Sequence, residues 1–186
     1  MAGICGIAAA GAHGQVVTTV TTDSAILSEA LRPTGLTITS IRVRKGTEGQ
    51  IGTYQNFLAG PVTIRGGIVL SSGNVSTMGP LAEAQLPDYD PASPPIAVNS
   101  AMDMIDGGGT PEFNAYGNEH HNIESFDASY DVAALEVTFD LAEATGVKFD
   151  FIFGSVEFPF WTGDFTDAFL VFLDGTSPDN QITFDD

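Results

Sequence analysis

Residues 147–175, VKFDFIFGSVEFPFWTGDFTDAFLVFLDG, constrain this chain more than any other stretch. They predict two apolar strands joined by an acidic, aromatic connection. In the first, Val147, Phe149, Phe151 and Phe153 alternate with Lys148, Asp150 and Ile152, the period of a sheet with one buried face. The second, residues 168–173 (AFLVFL), is apolar throughout, the pattern of a strand buried on both faces. Between them Glu157, Asp164 and Asp167 lie among Phe158, Pro159, Phe160 and Trp161. A charge beside an apolar core is costly unless it is paired or bound to a metal ion.

The rest of the chain predicts a single β domain. With 186 residues it is long enough for one sizeable core. Gly 21 and Phe 13, with frequent Thr and Val, favour strands and turns over helices. One helix is expected, from Asp23 as N-cap to Leu31, with Ile26, Leu27, Ala30 and Leu31 on one face and Pro33 and Gly35 to stop it. Residues 36–43 alternate as a strand whose buried face is ambiguous, since Leu36, Ile38 and Ser40 oppose Thr37, Thr39 and Ile41. Gly46, Gly49 and Gly52 mark a turn-rich link, and residues 62–71 contain another strand whose Gly66 and Gly67 suggest a bulge or a close backbone approach. Residues 133–139 form a half-buried strand with Ala133, Leu135, Val137 and Phe139 inward, expected to neighbour the 147–153 strand. Gln181 begins a last strand. The predicted fold is an all-β antiparallel sandwich, jelly-roll-like, with one short N-terminal helix.

Two stretches resist this pattern. Residues 2–14 are small and apolar, like the end of a secretory signal peptide without its charged start, so residues 1–14 read as a truncated leader and 15–186 as the domain. The only cysteine, Cys5, falls in that leader, which leaves the domain without a disulfide. Residues 79–122 read as a long irregular excursion, rich in proline between Pro87 and Pro95. Within it residues 96–104 fit a short helix or a strand equally well.

Charge narrows the function. The net charge is −18. Residues 1–65 hold five of the six basic residues and only three acids, so the remainder is intensely acidic. Such a field disfavours nucleic acid and anionic membranes as partners. No apolar run is long enough for a membrane span.

Three kinds of chemistry are conceivable. Glu157, Asp164 and Asp167, with Gly163 to bend the backbone, could supply half of a calcium shell of six to eight oxygens; as solvated turn residues they need no metal. Asp88, Asp90, Asp103 and Asp106 form a weaker second set. Glu119, His120 and His121 find no third histidine or cysteine within the domain to complete a zinc shell, since His13 and Cys5 fall in the leader, and a solvated loop is the better expectation. Glu157 paired with Asp164 or Asp167 beside Trp161 would also suit a sugar-binding or glycoside-hydrolysing cleft. Trp161 and Phe160 are candidate ligand contacts, although aromatic residues beside a strand more often fill a core. Nucleophile-elbow and phosphate-loop motifs are absent.

One resemblance ties these stretches together. Phe151-Ile152-Phe153-Gly154-Ser155-Val156-Glu157-Phe158-Pro159 followed by Asp167-Ala168-Phe169-Leu170-Val171-Phe172-Leu173-Asp174-Gly175 resembles the core motif of the choice-of-anchor L domain. The phrase GIVLSSGNV at 67–75, and a helix followed by a Thr-rich strand near the start, extend the likeness over most of the chain. The resemblance implies a secreted bacterial surface domain, often followed by a sorting signal, with no established enzymatic activity. It also implies further strands past residue 186, so the domain is expected to be incomplete there. The expected function is a non-catalytic adhesion or extracellular-matrix module, with calcium as a stabilising ion and a glycan or surface protein as extracellular partner. The alternatives are a carbohydrate-binding or carbohydrate-cleaving sandwich and a purely structural coat component.

Overall fold

The computed structural model describes residues 16–57, 64–78, 109–120, 129–142, 146–154 and 167–182. In chain order these form β1 (Val17–Val20), α1 (Ser24–Leu31), β2 (Leu36–Lys45), β3 (Ile51–Gln55), β4 (Gly66–Leu70), α2 (Pro111–His120), β5 (Ala134–Leu141), β6 (Val171–Phe172) and β7 (Gln181–Ile182). The strands pair antiparallel in three sheets, β1-β3-β4, β2-β5 and β6-β7. Strands dominate, as the composition predicts.

One core joins the first two sheets. Leu27 of α1, Ile41 of β2 and Ile51 of β3 are buried together. Ile38, Ile68, Leu70, Ala133, Leu135 and Val137 pack around them. The two sheets therefore turn apolar faces toward each other, the arrangement of a sandwich, and α1 lies against both. Full burial of each large aliphatic side chain contributes about 1.5–3 kcal/mol. The helix is as predicted at its start: Asp23 Oδ1 accepts from the backbone N–H of Ala25 at 2.8 Å and of Ile26 at 3.2 Å. It ends at Arg32, which adopts a left-handed conformation (φ 46°). Its buried stripe is narrower than predicted, because Ile26 and Leu31 face solvent and Leu27 alone is fully enclosed.

The ambiguous face of β2 is settled by a bulge. Ile38 faces Phe139 and Ser40 faces Thr138, so Thr39 is the extra residue. The Thr39 hydroxyl donates to the Thr138 carbonyl at 3.2 Å. The inserted residue shifts the phase by one position and brings Ile38 and Ile41 onto the same inner face. Of the inward set predicted for this strand, Ala133, Leu135 and Val137 pack against the core, and Phe139 is not part of that cluster. The ladder partner of β5, however, is β2 and not the 147–153 segment.

The glycine-marked link at 46–52 is also more ordered than expected. Gly52 lies inside β3, directly opposite Val20 of β1. A Cβ at Gly52 would collide with the Thr19 carbonyl and press on Val75. Glycine here permits close backbone approach rather than a turn. The close approach expected at Gly66 and Gly67 is present at Gly66, where a Cβ would lie 3.0 Å from the Tyr54 carbonyl.

The connection between β2 and β3 turns on Gln50, which is 2% exposed. Its Oε1 accepts from the Thr47 backbone N–H at 2.8 Å. Its Nε2 donates to the carbonyls of Asp131 at 2.9 Å and Ser72 at 3.3 Å. The orientation of the amide is dictated by its neighbours: two carbonyls can only accept, and a backbone N–H can only donate. One side chain thus ties the start of β3 to the end of β4 and to the approach to β5. Gly46 (φ 109°) must stay small, since a Cβ would lie 3.3 Å from both Gln50 Oε1 and Ala133 Cα.

Two expectations for 147–173 are corrected. Residues 146–154 carry no ladder among the described residues. Val147, Phe149, Phe151, Ile152 and Phe153 are exposed rather than half buried. The alternation itself is present: Phe149 and Phe151 stack on one side at 5.9 Å, and Lys148 pairs with Asp150 on the other at 3.2 Å. Residues 168–173 are not buried on both faces, since Phe169 and Leu173 are exposed and only Val171–Phe172 joins a strand. A short hairpin offers a strand one neighbour, which leaves an apolar run half open to solvent.

Gln50→Leu should leave a buried N–H and two buried carbonyls without partners. The expected loss is about 2–4 kcal/mol, read as a lower urea midpoint at unchanged slope. Gln50→Glu should be equally harmful, because a carboxylate cannot donate to Ser72 and Asp131.

Candidate functional site

Of the residues singled out around the acidic connection, Asp167 lies within the described residues and is exposed. Glu157, Asp164, Phe160 and Trp161 lie outside them, as do Asp88, Asp90, Asp103, Asp106 and His121. Among the described residues no group of three metal-binding side chains converges. What the structure does place beside the acidic connection is an aromatic ridge. Phe151 meets Phe169 with ring centroids 5.0 Å apart, and Phe149 continues the stack. Both sides of the connection therefore come together, as their sequence likeness to paired strands suggests, and the three rings stay partly exposed.

The region read as a long loop contains α2. Glu119 and His120 fall at the end of this helix, not in a loop. Its start is well specified: Thr110 precedes Pro111 and Glu112, and the Thr110 hydroxyl accepts from the Phe113 N–H at 3.4 Å. A hydroxyl cap, proline at the first position and an acid in the first turn are helix-start signals. In the sequence these signals are hard to read, because the remaining turns, FNAYGNEH, have weak apolar periodicity and include a glycine. The helix is anchored by Ser129, buried just before β5. Ser129 donates to Asn114 Oδ1 through its N–H at 2.6 Å and its hydroxyl at 2.8 Å. The same hydroxyl accepts from the Thr110 N–H at 3.0 Å. Gly109 passes so close to Ser129 that any Cβ would collide with it.

So anchored, α2 faces the β6-β7 hairpin across a groove of about 220 Å³. Pro111, Glu112, Ala115 and Tyr116 line one wall at the spacing of a single helix face. Phe172, Thr176, Pro178 and Gln181 line the other. Phe172 and Gln181 are cross-strand partners, so both point to the same side of the hairpin. None of these residues stands out in the sequence, because the groove is assembled from two segments about sixty positions apart whose meeting no local pattern encodes. A second cavity, about 260 Å³, lies beside the Gln50 clasp and is lined by Arg44, Lys45 and Asp131.

Glu112 carries the clearest electrostatic signature of the groove. Its carboxyl is held below the usual glutamate range, first by its own backbone N–H and then by the Thr176 hydroxyl. Burial opposes this slightly, while Thr110 and the charge of Arg44 add to it. Arg44 also pairs loosely with Glu136 at 3.7 Å, with both side chains well exposed. A group whose folded pKa is depressed stabilises the fold above its unfolded pKa, and loses that contribution as pH falls through the folded value. The stability difference between the wild type and Glu112→Gln should therefore be constant near neutral pH and shrink below pH 4.5. Urea titrations across that range measure it. The effect should be small, because the group is largely solvated.

No helix among the described residues is long and apolar enough to cross a membrane. Neither a curated protein nor a solved structure matches the chain. The family profile of the choice-of-anchor L domain does match, over residues 15–184. That span takes in both halves of the acidic-aromatic motif, α1, the Thr-rich β2 and the glycine-led β4, and the chain belongs to the choice-of-anchor L domain family of surface-associated bacterial domains.

Proposed function

We propose that this domain is a non-catalytic module displayed at the bacterial surface, where it acts in adhesion or in building the extracellular matrix. The observation that supports the adhesive reading is the aromatic ridge of Phe149, Phe151 and Phe169, exposed on a chain of net charge −18. A contiguous exposed apolar surface is characteristic of an interaction site. The surrounding charge keeps such a surface soluble until it meets a partner. On this reading a glycan or a surface protein is the partner. Beads coated with residues 15–186 should be retained on glycan-coated or protein-coated surfaces. Phe149→Ser with Phe151→Ser should reduce retention several-fold at unchanged melting temperature. Equal retention of the double variant would remove the ridge from the account.

The second part of the proposal is calcium, held by Glu157, Asp164 and Asp167 together with backbone carbonyls. The support is chemical: hard oxygen donors close in sequence are what calcium selects, and a chain of net charge −18 favours a cation. Thermal unfolding in calcium, in magnesium at equal ionic strength, and in EDTA tests it. A ligand that binds only the native state adds roughly 2.7 kcal/mol at a hundredfold excess over its Kd. The melting temperature should rise with calcium alone, and Glu157→Gln or Asp167→Asn should abolish the rise. Equal small increments with both ions would mean screening of surface charge and no specific site.

A further inference from the structure

The groove between α2 and the β6-β7 hairpin lies apart from the acidic connection, and its lining belongs to neither part of the proposal above. We propose that this groove is a binding site for one uncharged sugar ring, such as the terminal residue of a glycan. The inference gives the adhesive reading a ligand class, but it does not depend on the aromatic ridge or on calcium.

Size is the first argument. A volume of about 220 Å³ falls below the roughly 300–1,000 Å³ of sites that enclose drug-sized ligands. It suits a single six-membered ring and is too small for a helix or a folded peptide.

The second argument is the distribution of polarity. A sugar ring presents apolar C–H faces and a rim of hydroxyls, each of which both donates and accepts. The groove supplies the complement. Tyr116 from α2 and Phe172 from β6 provide aromatic surface on opposite walls. Glu112 offers acceptors only, and Gln181 offers a donor pair and an acceptor. Adjacent sugar hydroxyls can donate to the one and exchange hydrogen bonds with the other.

The third argument is charge. The Glu112 carboxylate would repel an anionic ligand. The charge of Arg44, which helps to lower the Glu112 carboxyl, offsets part of its attraction for a cation. A neutral polyol satisfies the site without a charge of its own. Each wall is also ordered within itself. Ser129 fixes the start of α2. The hairpin turn is closed by Leu173 N–H to Asn180 O at 3.0 Å and by Asn180 Nδ2 to Asp174 O at 2.8 Å. Walls that are ordered beforehand lower the ordering cost of binding.

Saturation-transfer NMR on residues 15–186 with glucose, galactose, mannose and N-acetylglucosamine tests the proposal. At least one of these sugars should receive saturation from the protein and titrate in the millimolar range. Tyr116→Ala should weaken that sugar about tenfold, equivalent to about 1.4 kcal/mol. Gln181→Ala, at the exposed hairpin, should weaken it several-fold and keeps the test decisive if Tyr116→Ala fails to fold. Trp161→Ala should leave binding unchanged. Absence of transfer to all these sugars would overturn the proposal. So would binding that survives both groove variants, and loss in Trp161→Ala instead would move the sugar to the acidic connection. None of these results would alter the behaviour of the Phe149 and Phe151 variants on coated surfaces, so failure of the groove and failure of the adhesive ridge are distinguishable.

Discussion

The buried amide of Gln50 is the contact on which the sandwich depends. The core alone does not fix how the two sheets sit, because Leu27, Ile41 and Ile51 attract without direction. Hydrogen bonds do have direction. Gln50 joins the β2–β3 connection to the end of β4 and to the approach to β5, and so binds one sheet to the other at a defined place. Burial makes the contact stringent: in a dry interior each of these groups is expensive to leave unpaired. Gly46 and the left-handed Asp131 (φ 53°) shape the backbone so that the amide fits between them.

This arrangement explains why different parts of the domain are legible to different degrees. The capped helix at Asp23 and the inward face of β5 are local patterns, and both hold, except at Phe139. The face of β2 is ambiguous for a physical reason, since Thr39 interrupts the alternation and a bulge is not visible without its partner strand. Gln50 carries one local signal, its place three residues after Thr47 as in a capping box, but that spacing does not announce its bonds to Ser72 and Asp131. Gly52 reads as a turn residue because glycine serves two purposes, left-handed turns and close approach, and sequence does not distinguish them. The 147–153 segment shows the opposite case. Its alternation is real, but alternation states only that the two faces differ, and not which strand will cover the apolar one.

The same logic applies to function. The acids and the tryptophan near 157–167 are conspicuous because they cluster in sequence. The groove beside α2 is built from ordinary residues that meet only in space: a glutamate, a tyrosine, a phenylalanine and a glutamine from two distant segments. Its walls are positioned by Ser129 and by the hairpin turn, neither of which carries ligand chemistry itself. Scaffolding of this kind leaves the surface residues free to vary while their frame stays fixed.

The pairing of β2 with β5 also sets an order of events. β3 and β4 are near neighbours in the chain and can pair early, whereas the Thr39–Thr138 contact spans 99 residues. Contacts of such separation must close a long loop before they yield any stabilisation, and they slow folding. A chain synthesised N-terminus first presents β1, α1, β2, β3 and β4 well before β5 arrives. Until then β2 waits with an open edge. Its outward Arg42 and Arg44 then serve a second purpose, since charged side chains on an open strand discourage pairing with another chain.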